Sequence, residues 1–167
     1  MNLKDKVVLV TGSGSGIGRK TSLVCAEYGA TVIALDINEE AAKLTEKMII
    51  DADGTAMAAK ADITDRVQVH TVIEDVIARF KKIDVLVNNA GSTRLGTMVD
   101  LEDSTYDFII NLNMKGPFIM STEVAKVMIP RRSGRIINIT SYCAVRGEFA
   151  NAPYCMAKAG IKMMTQV

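Results

Sequence analysis

Tyr154 and Lys158 stand four residues apart in the run Ala152-Pro153-Tyr154-Cys155-Met156-Ala157-Lys158-Ala159-Gly160. On a helix that spacing brings phenol and ammonium onto one face. A fixed positive charge favours phenolate and draws a tyrosine down from its ordinary pKa of about 10. Such a tyrosine can exchange a proton with a substrate oxygen near neutral pH. The pair alone has an ordinary alternative, two polar residues sharing a solvated helix face. The surrounding segments decide between the two.

At the N-terminal end, Val7-Val8-Leu9-Val10 reads as a strand buried on both faces. It runs into Thr11-Gly12-Ser13-Gly14-Ser15-Gly16-Ile17-Gly18, after which Ile17, Thr21, Val24 and Tyr28 follow a helical spacing. Strand, glycine turn and helix form the context of a phosphate-binding loop, where backbone approaches a pyrophosphate and helix N–H groups hold its charge. The spacing from Thr11 is Thr-Gly-x-x-x-Gly-x-Gly, with Gly12, Gly16 and Gly18 as the fixed points, rather than the plain dinucleotide fingerprint.

A second strand, Thr31 to Leu35, ends on Asp36. A carboxylate there can accept hydrogen bonds from both adenosine ribose hydroxyls and would repel a 2′-phosphate. Ile37 and Asn38 follow it and Ser15 precedes Gly16, so no basic residue offsets that repulsion. The cofactor expected is NAD, with NADP disfavoured. Asp36 could instead begin the turn and cap the next helix. Further on, Asp84 to Val87 delivers Asn88-Asn89-Ala90-Gly91 to the carboxyl edge of the sheet, where ligands bind in open α/β folds.

Together these segments resemble the short-chain dehydrogenase/reductase family over essentially the whole chain. The stretch from Thr11 to Gly18, with Ser15 and Ile17, matches its cofactor loop; Asp62-Ile63 matches its adenine contact; and Asn89-Ala90-Gly91 lies in its central-strand motif. Asn113, Ser141, Tyr154 and Lys158 fall on its catalytic tetrad, Ser141 thirteen residues before Tyr154. The resemblance implies that Tyr154 is the general acid/base and Lys158 lowers its pKa and holds the nicotinamide ribose. It implies that Ser141 donates to the substrate oxygen and that Asn113 holds a water leading to Lys158. Read without the resemblance, Ser141 could simply end the strand Arg135–Thr140.

Strands near 6–11, 31–36, 55–61, 83–88 and 134–140 are expected to alternate with helices near 16–29, 39–52, 65–80, 102–113, 115–129 and 153–167. That alternation implies one Rossmann-like, doubly wound α/β domain over residues 1–167, with a parallel sheet ordered 3-2-1-4-5. The third helix carries the clearest stripe, Val69, Val72, Ile73, Val76, Ile77 and Phe80, with Thr64 expected as its cap.

A chain of 167 residues that is 49% hydrophobic can bury a core, and a net charge of +1 argues against nucleic acid or anionic membrane as partners. No apolar run approaches the roughly 18 residues that span a bilayer, and no signal-peptide core is evident. Cys25, Cys143 and Cys155 lack metal-ligand spacing and suit a reducing, cytoplasmic setting. His70, the only histidine, is expected on the polar side of the third helix, and no metal site is expected.

The family's sixth and seventh strands have no counterpart after Val167, so the sheet is expected to be C-terminally incomplete, with the strand at 135–140 as an apolar edge. A piece of a longer protein is the favoured reading. The substrate is left as a secondary alcohol or ketone, sugar-derived in preference to a 3-oxoacyl carrier-protein thioester. Residues expected beside it are Arg94, Tyr142, Cys143, Arg146, Glu148 and Phe149, with Arg146 equally readable as a surface charge. Self-association as a homodimer or homotetramer is expected through the helices near 115–129 and 153–167. A dinucleotide-binding subunit without catalysis is the alternative of a different class.

Overall fold

The structure, a computed structural model, describes residues 2–167. Five parallel strands form one sheet in the order β3-β2-β1-β4-β5. They are β1 (Val7–Thr11), β2 (Thr31–Asp36), β3 (Thr55–Lys60), β4 (Val85–Asn88) and β5 (Arg135–Asn138). Between them run α1 (Gly16–Glu27), α2 (Glu39–Ile50), α3 (Arg66–Phe80), α4 (Asp103–Ile110) and α5 (Gly116–Arg131). Helix α6 (Ala152–Met164) follows β5. The α/β class, the strand order and the parallel sense are those expected.

Strand β1 shows why an unbroken apolar run makes a central strand. Val7 and Leu9 point into the cluster packed by α3 and α5, with Val69, Ile73 and Met120, while Val8 and Val10 point into the opposite cluster with Ile49 of α2. Leu9 and Leu86 are fully buried. Each such aliphatic side chain contributes about 1.5–3 kcal/mol. Strand β1 pairs with β2 on one side and β4 on the other, so the chain direction of winding reverses between β1 and β4. In open α/β sheets that reversal opens a crevice at the carboxyl ends of the strands.

Several local expectations need correction. Thr64 does not cap α3. Asp65 does, accepting from the N–H groups of Val67 at 2.9 Å and Gln68 at 3.3 Å, while Thr64 turns back to Asp62. A carboxylate accepts two amides better than a hydroxyl does. In α1 the helical spacing holds, with Gly18 and Ser22 as its buried residues and Ile17 68% exposed at its start. His70 lies on the exposed face of α3, as expected, and its Nδ1 also comes within 3.3 Å of Glu123 of α5. Strand β5 stops at Asn138, and on this sheet margin Ile137 is 48% exposed.

The largest departure lies between α4 and α5. Sequence spacing predicts two separate helices, but a π-helical turn over Asn111–Lys115 joins them without a break. Its widened register has the Gly116 N–H donating to the carbonyl of Asn111. Pro117 has no N–H to offer the carbonyl of Asn113 four residues back, and one extra residue in the turn accommodates that loss.

Candidate active site

The carboxyl ends of β1, β2 and β4 open into a cleft of about 870 Å³. Its floor begins at the glycine turn. Gly12 has φ +67°, and a Cβ there would stand 2.9 Å from the Ala90 Cα. At Gly18 a Cβ would meet the Gly12 carbonyl oxygen at 2.1 Å, so only glycine lets α1 seat against the end of β1. Gly12, Ser15, Gly16 and Ile17 line the cleft. Ser15 is the N-cap of α1, yet its side chain makes no capping bond and no acidic residue occupies the first turn. The amides at that helix end keep their hydrogen-bonding capacity and partial positive charge for an anion.

Asp36 closes the far side. Its Oδ2 accepts from the Gly14 N–H at 2.8 Å and its Oδ1 from the Asn38 N–H at 2.9 Å. The cap of α2 is Asn38, whose Oδ1 accepts from the Ala41 N–H at 3.1 Å, so Asp36 is not spent on that helix. A carboxylate offers about four lone-pair sites, leaving two for ribose hydroxyls. Asp62 and Ile63 line the same end of the cleft. An unforeseen brace stands behind the loop. The Arg19 guanidinium donates to the Gly14 carbonyl and to Thr45 Oγ1, which in turn donates to the Ser13 carbonyl at 2.7 Å.

Thr11 works from beneath. Buried and absent from the lining, its Oγ1 accepts from the N–H groups of both Asn89 and Ala90 at 3.0 Å. Asn89 Nδ2 returns a bond to the Thr11 carbonyl at 3.0 Å. Asn89, Ala90 and Gly91 thereby face the cleft as a fixed turn.

Tyr154 and Lys158 line the other end, on α6. Lys158 Nζ lies 5.5 Å from the Tyr154 ring centroid and donates to the Ile139 carbonyl at 2.9 Å. Burial pushes the Lys158 ammonium below its ordinary pKa. Asn113 sits behind Gly91 on the π turn, fully buried, with Nδ2 donating to the carbonyls of Ser92 at 2.7 Å and Ile109 at 2.9 Å. Its Oδ1 is buried without a protein partner. A Cβ on Gly91 would stand 2.7 Å from that Oδ1 and 3.5 Å from Lys158 Nζ, so both groups converge on one point. Ser141 is the cap of the 3-10 turn Tyr142–Ala144, its Oγ accepting from the Cys143 N–H at 3.2 Å and its hydroxyl hydrogen left free to donate.

The six expected substrate residues do not converge in the same way, and none lines the cleft. Arg94 lies over the ring of Phe108, 4.2 Å from its centroid. Tyr142 OH accepts from Arg146 Nη1 at 3.0 Å, and Glu148 accepts from Asn151 Nδ2 at 2.7 Å and Cys143 Sγ at 3.3 Å. Phe149 is 89% exposed. Sequence reasoning missed Phe108, Asn111 and Leu112, which do line the cleft. Their i, i+3, i+4 spacing immediately before Asn113 was the available signal. Among the described residues no cluster suited to a metal ion is present, and no helix is long and apolar enough to cross a membrane.

The cleft has parts suited to a dinucleotide, an uncapped helix N-terminus and a carboxylate with free lone pairs. Comparison with known proteins agrees. A family model described as short chain dehydrogenase matches residues 6–167. A 3-oxoacyl-acyl-carrier-protein reductase of Thermotoga maritima is 40% identical over 99% of this chain and 68% of its own length. Galactitol 2-dehydrogenase of Agrobacterium fabrum is 38% identical over 99% of this chain and 64% of its own. The crystal structure of an NAD+-bound xylitol dehydrogenase superposes with a TM-score of 0.96 at 32% identity, covering 99% of this chain and 64% of that one. The chain thus spans about two thirds of the length of these relatives. A match that runs from the first strand through the last helix leaves one assignment: the chain belongs to the short-chain dehydrogenase family.

Proposed function

We propose that this protein interconverts a secondary alcohol and a ketone with NAD as the redox partner. The observation that carries the reading is a single cleft lined by the uncapped start of α1 and Asp36 at one end and by Tyr154 and Lys158 at the other. Bound nicotinamide would supply the hydride chemistry. The N-terminal amides of α1 would hold its pyrophosphate. Asp36 would hold the adenosine ribose and, by charge, disfavour the 2′-phosphate of NADP.

Tyr154 would give a proton to the carbonyl oxygen during reduction and take it back during oxidation. The Lys158 ammonium, on the same helix face as Tyr154, would hydrogen-bond the nicotinamide ribose. Ser141, with its hydroxyl hydrogen free, would donate to the same substrate oxygen and stabilise developing charge. Asn113, whose Oδ1 is buried and unpartnered beside Lys158, would hold a water that connects the ammonium to solvent. The reading of a polyol or sugar-derived substrate has support in the galactitol and xylitol dehydrogenase relatives, and a 3-oxoacyl thioester in the Thermotoga relative. Exposed Phe118 and Ile129 on α5 and Met156 and Met163 on α6 support self-association through those helices.

The test is an equilibrium titration with NADH and NADPH, followed by turnover assays of native protein and Tyr154→Phe. NADH is expected to bind at least about tenfold more tightly, a difference of about 1.4 kcal/mol. Tyr154→Phe should retain NADH affinity and lose at least about 100-fold in turnover. Equal affinities would remove the role given to Asp36. NADH binding with no ketone reduction by the native chain would identify a dinucleotide-binding module.

A further inference from the structure

Arg94 has an unusual position for an exposed cation. Its guanidinium carbon lies 4.2 Å from the Phe108 ring centroid, and Phe108, unlike Arg94 itself, lines the same cleft as Tyr154 and Lys158. The backbone on either side is fixed. The Ser92 carbonyl accepts from Asn113 Nδ2 at 2.7 Å, Thr93 Oγ1 donates to Asn151 Oδ1 at 2.6 Å, and the Gly96 N–H donates to the Ala150 carbonyl at 2.8 Å. A cation–π contact of this kind engages the charge without using a hydrogen-bond donor, and the five guanidinium N–H groups are available to a ligand. Among the described residues no carboxylate forms a salt bridge with it. Glu148, which shares Asn151 with Thr93, is engaged by Asn151 and Cys143.

A planar, unpaired guanidinium over an aromatic ring is suited to bidentate recognition of a carboxylate or similar oxyanion. We propose that Arg94 is a specificity-determining residue that selects substrates bearing an anionic group beside the reacting ketone or alcohol. The inference rests on the reading of the cleft as an alcohol–ketone site. Phe108 is a positioning residue in this scheme, holding the cation without neutralising it.

The experiment compares acetoacetate with its neutral ester, ethyl acetoacetate, by calorimetric titration into the NAD-saturated protein. Ketone and NAD are both oxidised, so no turnover intrudes. Native protein should bind acetoacetate at least about tenfold more tightly than the ester. Arg94→Met should abolish that preference while leaving NAD and ester affinities within about twofold, and Arg94→Lys should retain part of it. Arg94→Gln serves if the methionine variant does not fold. No preference in native protein, or a preference that survives the loss of Arg94, overturns the proposal while leaving the cofactor reading intact. Failure to bind NAD at all rejects both.

Discussion

The two ends of the cleft are built on different principles. At the proposed nucleotide end, the cleft wall is fixed by hydrogen bonds to backbone groups: Asp36 to Gly14, Thr11 from beneath to Asn89 and Ala90, and Arg19 from behind to Gly14. At the rim beyond the Tyr154–Lys158 end, outside the cleft lining, side chains hold one another at the surface, as Arg146 holds Tyr142 and Cys143 meets Glu148, and Leu95, Met98, Val99 and Phe149 are each more than two thirds exposed, at 69%, 80%, 92% and 89%. A site for one invariant ligand can be written into the backbone. A site that must suit a particular substrate is carried on side chains that change without disturbing the sheet.

Substitutions test that contrast. Gly18→Ala should be the most damaging, because its Cβ would meet the Gly12 carbonyl oxygen at 2.1 Å, a backbone atom that cannot move aside. We expect a stability loss of about 3 kcal/mol in urea unfolding and NADH affinity reduced at least about 100-fold. A loss confined to affinity would mean the loop deforms independently of the sheet.

Glu123→Gln probes the scaffold below the cleft. Its side chain is 2% exposed, and Lys126, then Arg66 and His70, outweigh burial and hold its carboxyl at about 2. Because the folded value lies below the ordinary one, the stabilisation is fully present above pH 4.5 and disappears as pH falls towards about 2. Discounted for partners that are half exposed, it amounts to about 1–2 kcal/mol. The variant should unfold earlier than native protein at pH 7, with the gap closing on acidification. A gap that persists at pH 2 would assign the effect to packing.

Phe149→Ser should matter least, within about 0.5 kcal/mol of native stability and with NADH affinity unchanged. A larger effect on either would show that the rim is coupled to the nucleotide end and would dissolve the contrast.

The same contrast governs what was legible in the sequence. Gly12 and Gly18 could be read because backbone approach admits no other residue there, and Asp36 could be placed at its strand tip because the apolar run before it ends so sharply. Phe108 gave only a spacing signal, shared with Asn111 and Leu112, and an aromatic on an amphipathic helix reads first as packing. The π turn has no residue code beyond Pro117, whose missing N–H is equally at home at a helix start. The six rim residues were placed by their distance along the chain from Ser141 and Gly91, and chain distance does not fix which way a loop side chain turns.

Thr11 Oγ1 accepts two amides from the loop that ends β4 while its own backbone ends β1. One oxygen atom therefore reports on both sides of the crevice. In hydrogen–deuterium exchange, the Asn89 and Ala90 amides should exchange together, at a rate set by how often the two strand ends part. Their protection factors give a label-free gauge of crevice opening, readable before any ligand or substrate has been identified.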